Sequence, residues 1–346
     1  MQVQPYFEEE LKNTINAINE KKEEGDLLFS LVADSHLSDN TRHTIQNIYA
    51  VDKAVNFSFL AHLGDLLCGN IPEKVSRRLL KEELANYQFA IKSKKIYVAQ
   101  GNHDGYRDET YKGQTVPDMA IDEKWYEDLE FFHMGENIHT QKNKPYFYVD
   151  IPKHQLRLIF LCTTGYNIDT EKKEFEKLYG ISSEQIEWLA STALDCPSGY
   201  SVMVFSHIHP FGLKDKNENG DFCISPRKEE NYETAVNLLK AYNSSSSCTI
   251  NGKIYDYTDK DGTFVCWFFG HDHCDAVVTI EGFNYIGVAS QTAYIPQLWE
   301  AIGYFPSPRE LDTVSEDAWD SVLWKKNERK LYMFRFGAGD DRVISY

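Results

Sequence analysis

Three apolar runs in the first hundred residues each break off directly into polar side chains. Leu27 to Ala33 ends at Asp34-Ser35-His36, and Phe57 to Leu63 ends at Gly64-Asp65. Ile96 to Ala99 passes through Gln100 into Gly101-Asn102-His103-Asp104. The runs are continuous rather than alternating, which is the pattern of strands buried on both faces. Residues 41–57 and 72–90, between them, suit helices. A strand–helix series of this kind folds through right-handed crossovers into a parallel sheet, and that handedness delivers all three strand ends to one edge. Ligand sites of α/β proteins lie at such an edge, and Gly101 permits a sharp turn there.

The pattern changes downstream. Pro145 to Ile151 and Leu156 to Thr163 are apolar runs about a short polar turn, a hairpin signal. Ser182 and Gln185, spaced as a capping box, open a helix that runs through Leu194. Ser201 to Phe205 reads as a strand ending at Ser206-His207-Ile208-His209-Pro210, and Thr263 to Phe269 as one ending at Gly270-His271-Asp272-His273. Ala276–Ile280 and Tyr285–Ala289 flank the turn residues Glu281-Gly282. Lys214 to Arg227 is expected to be a surface loop, Tyr232 to Tyr242 a helix, and Ser244 to Ser247 a linker or loop tip. The tail, 331–345, reads as a closing hairpin. At the other end Phe7, Leu11, Ile15 and Ile18 mark an amphipathic helix.

Five strands therefore end in Asp34/His36, Asp65, Asn102/His103, His207 and His271/His273. Singly, each has an ordinary structural explanation, and His62 reads as a core histidine. With His103 set aside, they jointly supply two carboxylates, one amide oxygen and four imidazoles, more donors than one transition metal accepts. No thiolate contributes, which disfavours structural zinc, and four histidines disfavour a Ca²⁺ or Mg²⁺ site. Two divalent ions follow, with Mn²⁺, Fe and Zn²⁺ left open. Two such ions roughly 3.5–4 Å apart would acidify a bound water and neutralise charge in an in-line displacement at phosphorus. In the tetrapeptide after Gly101, the imidazole can carry a proton and the carboxylate can orient it.

The ordered set Asp34-Ser35-His36, Gly64-Asp65, Gly101-Asn102-His103-Asp104, His207 and Gly270-His271-Asp272-His273 resembles the calcineurin-like metallophosphoesterase superfamily, over about Leu27 to Ala289. The resemblance implies an α/β fold of four layers, an αββα sandwich of two mixed sheets flanked by helices, with a dinuclear metal site at the strand C-terminal ends. It implies that Asp34, His36 and His273 hold one metal and Asn102, His207 and His271 the other, with Asp65 bridging. His103 would contact the scissile phosphate or protonate the leaving group, oriented by Asp104. The motif pattern is closest to the bacterial branch that includes class III cyclic-nucleotide phosphodiesterases. On these grounds residues 27–290 form the catalytic domain, with insertions at about 106–144 and 211–262. Residues 1–26 form a helix packed on its core, and 291–346 a C-terminal extension of the same domain, with 292–330 read as a further loop insertion. His209, two residues past a ligand, and Tyr106 are candidates to face substrate, though packing is the stronger explanation of His209.

The formal net charge of −17 sets this chain against nucleic acid and anionic membranes, since no Lys/Arg cluster forms a basic groove. A small phosphate ester, mono- or diester, is the expected substrate. A repair-type nuclease and a metal-retaining scaffold without catalysis are the alternatives. The second would be expected to lack a motif residue, above all His103. Seven scattered cysteines with no CxxC pair, and no apolar leader in the first 25 residues, point to reduced thiols in a cytoplasm.

Overall fold

The computed structural model describes residues 2–68, 73–104, 128–129, 137–141, 144–164, 180–216, 222–226, 231–293 and 309–346. The chain enters through a short turn, Pro5–Phe7, into α1 (Glu8–Lys21), whose Ile18 and preceding Phe7 are buried. Strand β1 (Leu27–Val32) follows, with every residue buried. Its alternate side chains serve two cores. Leu28 and Val32 join the helices, while Leu27, Phe29 and Leu31 face the second sheet. Helix α2 (Thr41–Val55) leads to β2 (Leu60–His62), and α3 (Glu73–Ala90) leads to β3 (Ile96–Val98). These three strands are parallel neighbours, as the opening pattern requires.

The second sheet is built from β4 (Ile138–Thr140), β5 (Phe147–Ile151), β6 (Leu156–Phe160), β7 (Ser201–Phe205), β12 (Thr263–Phe269), β13 (Ala276–Ile280) and β14 (Phe283–Gly287), in the spatial order β13-β14-β12-β7-β6-β5-β4. Helices α4 (Ser183–Trp188) and α5 (Tyr232–Asn243) cover its outer face. The first sheet is completed by β15 (Ala318–Lys325), β16 (Lys330–Gly337) and β17 (Arg342–Ser345), giving the order β17-β16-β15-β1-β2-β3. Three hydrophobic clusters fill the three interfaces of this four-layer αββα sandwich. The middle one is lined by phenylalanines. Phe29 stacks on Phe59 at 4.6 Å between centroids, and Phe160 on Phe205 at 4.7 Å.

Several local expectations are corrected. The segment expected as a surface loop after Pro210 contains the hairpin β8 (Phe211–Lys216) and β9 (Phe222–Pro226). The serine run turns directly into a ribbon, β10 (Ser247–Ile250) with β11 (Lys253–Asp256). The capping box is half formed. Ser182 accepts from the Gln185 amide at 3.1 Å, but the Gln185 side chain pairs with both backbone groups of Cys162 instead of returning to the cap. Beyond Trp188 the helix widens into a π-turn, Leu189–Ala193. The largest correction is β15, which lies inside the stretch read as a loop insertion and pairs antiparallel with β1.

A buried ion cluster ties the two sheets together. Arg335 on β16 donates to Asp275, and to Asp320 on β15 at 3.2 Å. Arg342 reaches Asp320 at 2.7 Å and the Gly287 carbonyl of the other sheet at 2.9 Å. Removing one partner of such a cluster strands an uncompensated charge in the interior. Arg335→Ala is therefore expected to lower the unfolding free energy by about 3–5 kcal/mol. Urea denaturation checks this through the midpoint at constant slope. A loss of a few tenths of a kcal/mol, the size of about one exposed pair, would mean the cluster is solvated.

Candidate metal centre

The site is assembled where β1, β2, β3, β7 and β12 end. Apart from His62 the strands end on apolar residues, so the candidate ligand side chains fall on the connecting loops at a common edge. The loops then take unusual backbone conformations. Asp34, His36, Asp65, His271 and His273 have φ of 53°, 47°, 55°, 70° and 57°. Left-handed backbone costs a non-glycine residue roughly 1–3 kcal/mol and persists where surrounding contacts over-determine it; Asp and His tolerate it better than most. The surrounding contacts are present. The Asp34 amide donates to Gly64 O at 3.1 Å and the His36 amide to Asp65 O at 2.9 Å.

The loops after β2 and β3 touch through bare backbone. A Cβ on Gly101 would lie 2.1 Å from Asp65 N and Oδ1, and one on Gly64 would lie 2.6 Å from Gly101 N. Asp104 closes this contact. Its Oδ2 accepts from the amides of Asp65 at 2.9 Å and Gly101 at 2.8 Å, and its Oδ1 from Leu67 at 3.0 Å. Both carboxylate oxygens of Asp104 thus serve backbone amides of the two loops. His62 has a similar task, its Nδ1 accepting from the Gly64 amide at 3.1 Å.

Two groups of donors result. Asp34, His36 and His273 form one, and Asp65, His207 and His271 the other, with the ligand atoms of each group within 4.8 Å of one another. His36 Nε2 is 3.3 Å from His273 Nε2, and His273 Nε2 is 3.6 Å from Asp34 Oδ1. His207 Nε2 is 2.9 Å from Asn102 Oδ1 and 3.2 Å from Asp65 Oδ2. The same Asp65 oxygen lies 3.7 Å from His36 Nε2, between the groups. Two atoms each about 2.1 Å from one ion stand roughly 3–4 Å apart, so the spacing and donor chemistry fit divalent ions. The His207 ring is oriented by its Nδ1, which sits 2.8 Å from Leu63 O and turns Nε2 inward.

Electrostatics separates these groups. Burial pushes His36 down to about 4 and His273 to about 3, and holds His271 well below its usual value, which leaves all three imidazoles neutral at pH 7. His207 is the exception. Burial opposes its charge, but the Asp65 carboxylate and then Asp34 override it and push the imidazole up to about 10. Asp34 is raised by burial, whereas Asp65, also buried, is held down by His207.

His103 stands apart, with its side chain 31 % exposed and its Nε2 4.0 Å from Asp65 Oδ2. Its backbone amide donates to Asp65 Oδ1 at 2.7 Å. His209 is packed, its ring stacked 4.4 Å from Phe211 and its Nε2 3.3 Å from Asp272. Tyr106 lies outside the described residues. Sequence reasoning missed Ser290, Gln291 and Thr292, which follow β14 and cross the first loop. Ser290 Oγ donates to Asp34 O at 2.9 Å, and Gln291 N to Ala33 O at 2.8 Å. A polar triplet directly after an apolar strand was the signal that could have found them.

A family model described as calcineurin-like phosphoesterase matches residues 28–275. A search of curated proteins finds no match. Among solved structures, a dimetal phosphatase from Danio rerio is similar at 14 % identity and a TM-score of 0.55, covering 92 % of this chain and 99 % of its own. The phosphopantetheinyl hydrolase of Mycobacterium tuberculosis is similar at 10 % identity and a TM-score of 0.38, covering 82 % and 99 %.

The Asp65 carboxylate favours the charged form of His207, so an ion taking its Nε2 lone pair would have to expel that proton. The folded-state value lies above 7, so the proton is present at neutral pH and leaves only when the ion displaces it. Adding Zn²⁺ or Mn²⁺ at pH 7 should release on the order of one to two protons per chain. Calorimetry in buffers of different ionisation enthalpy measures this. Zero net release would mean His207 is already neutral.

Proposed function

The chain belongs to the calcineurin-like phosphoesterase family, and on that premise we propose that it hydrolyses small phosphate esters at the two donor groups, with His103 serving the departing oxygen. It is a phosphoesterase; the substrate class, the ligand roles and the proton path are our proposal. The observation that carries it is the placement of Asp65 Oδ2 between both groups, with the partly exposed His103 ring at its edge.

In this proposal Asp34, His36 and His273 hold one ion, Asn102, His207 and His271 hold a second, and Asp65 contacts both. When bound, the pair of ions supplies an acidified water and neutralises charge building on the phosphoryl oxygens. The protein does the rest. Asp104 ties the loop of His103 to the loop of Asp65, so the ring keeps a fixed position relative to the donors. His103 then presents Nε2–H to the ester oxygen and transfers the proton as the P–O bond breaks. The phenylalanine-lined interior below excludes water from the underside.

Residues 1–346 are proposed to act as one unit, because α1 covers the first sheet and β15 to β17 complete it. Six described cysteines are free thiols, which suits the cytoplasm as the proposed compartment. No described helix is long and apolar enough to cross a membrane.

With Mn²⁺, Zn²⁺ and Fe²⁺ supplied in turn, small esters such as bis-p-nitrophenyl phosphate or p-nitrophenyl phosphate are expected to be cleaved in preference to DNA or RNA. An acidic surface repels long polyanions. Efficient cutting of single-stranded DNA at physiological salt would favour a nuclease instead.

His103→Ala separates two roles for that ring. A general acid contributes about 10²–10⁴-fold, and most where the leaving oxygen is basic. Nitrophenolate departs without a proton; an alkyl alkoxide does not. The variant should retain both ions and lose far more activity on alkyl or nucleoside esters than on nitrophenyl esters. Equal losses would make His103 an electrostatic contact to the phosphoryl group, and loss of an ion would make it a ligand.

A further inference from the structure

Asp34 is held in left-handed backbone by a strap from the far end of the chain. Its carbonyl accepts from Ser290 Oγ at 2.9 Å and from the Thr292 amide at 3.3 Å, while Gln291 N donates to Ala33 O beside it. The strap is itself clamped by Arg309, which donates to four carbonyls: Ser290 at 2.7 Å, Gln291 at 2.8 Å, Ser315 at 2.7 Å and Glu316 at 2.6 Å. Asn40, at the head of α2, donates to Gln291 O at 2.8 Å and Glu316 O at 2.7 Å, joining the clamp to the loop that begins at Asp34. Burial lowers the Arg309 guanidinium to about 10, which leaves it charged at neutral pH.

We propose that Arg309 is a positioning residue for the ion held by Asp34, His36 and His273, acting through the Ser290–Thr292 strap. The inference rests on the ligand assignment proposed above and goes beyond it, since Arg309 lies outside the 28–275 stretch matched by the family. A planar fork across four carbonyls fixes two chain segments at once, which a lysine point charge cannot do. Without the fork the strap keeps the Asn40 contact and those of the Gln291 side chain with Tyr87 and Thr44, but the donors to the Asp34 carbonyl are held less firmly, and the left-handed turn can relax, moving the carboxylate away from His36 and His273. The second group is supported differently. His207 is oriented by Leu63 O, and Asp65 by the amide contacts of the Asp104 loop. It meets the Asp34 carboxylate through the His271 amide, which donates to it, and through His207 Nδ1, 3.9 Å from Asp34 Oδ1.

The test uses full-length, chelator-stripped protein titrated with Zn²⁺ by calorimetry, with thermal unfolding of the metal-free form in parallel. A His36→Ala reference marks which binding phase belongs to the first group. For Arg309→Met, first-group affinity should fall about 10–100-fold, as when outer hydrogen-bond partners of a metal ligand are lost, and the other phase should stay within about threefold. Ser290→Ala, a small change with one bond removed, should move the same phase in the same direction by less, at an unchanged metal-free unfolding midpoint. Wild-type affinities in both variants overturn the proposal, as does an equal fall in both phases. If Arg309→Met does not fold, Ser290→Ala decides alone. Wild-type protein that takes up fewer than two ions would instead overturn the two-ion assignment, and the positioning role with it.

Discussion

Everything near the site follows from burying two carboxylates and four imidazoles at the mouth of an apolar sheet interface. Asp34 and His207 are fully buried, and Asp65 nearly so. Charges in such a place are costly unless compensated. In the metal-free protein the compensation is internal, with Asp65 ionised against a charged His207, Asp34 raised toward its neutral form and the remaining ligand imidazoles neutral. Ions bound at these donors would replace protons rather than enter an unprepared cavity. The strained loops are consistent with that demand, because donors placed by left-handed turns cannot drift without releasing several backbone contacts at once.

The strands that carry the site were legible because each lies in a mostly apolar run that turns polar within two or three residues of the strand's end. That pattern survives any detail of packing, and it located β1, β2, β3, β7 and β12. What escaped was decided by partners distant in sequence. Strand β15 contains Asp320 and Ser321 in the middle of its buried stretch, so its sequence lacks the unbroken apolar signal of β1. Its burial makes sense only once Arg335 and Arg342 are seen to meet Asp320. The hairpin of β8 and β9 escaped for the opposite reason: its sequence is polar enough to read as loop.

Asp104 illustrates a further limit. Adjacency to His103 suggested a direct partnership, yet consecutive residues in a tight turn point in different directions. Gly101 lets the turn fold against Asp65, and the carboxylate meets the amides of both loops. The spacing from glycine to aspartate carried real information, but about the backbone. The same holds for His62, whose acceptance from Gly64 fixes the start of the second loop.

The C-terminal segment changes how the architecture divides. A parallel unit of β1 to β3 could present its loop ends without help, but β1 would be left as an edge strand exposing unpaired backbone groups. Strand β15 covers that edge, and the cluster of Arg335 and Arg342 fastens the new strands to Asp275, two residues past His273. Arg309 and the Ser290–Thr292 strap then reach Asp34, on the loop after β1. One late stretch of chain thus grips the last ligand loop and the first. The loop after β12 carries donors of both groups, His273 of one and His271 of the other, so holding it against the Asp34 loop limits how far the two groups can move relative to one another, and the proposed pair of ions would depend on that separation.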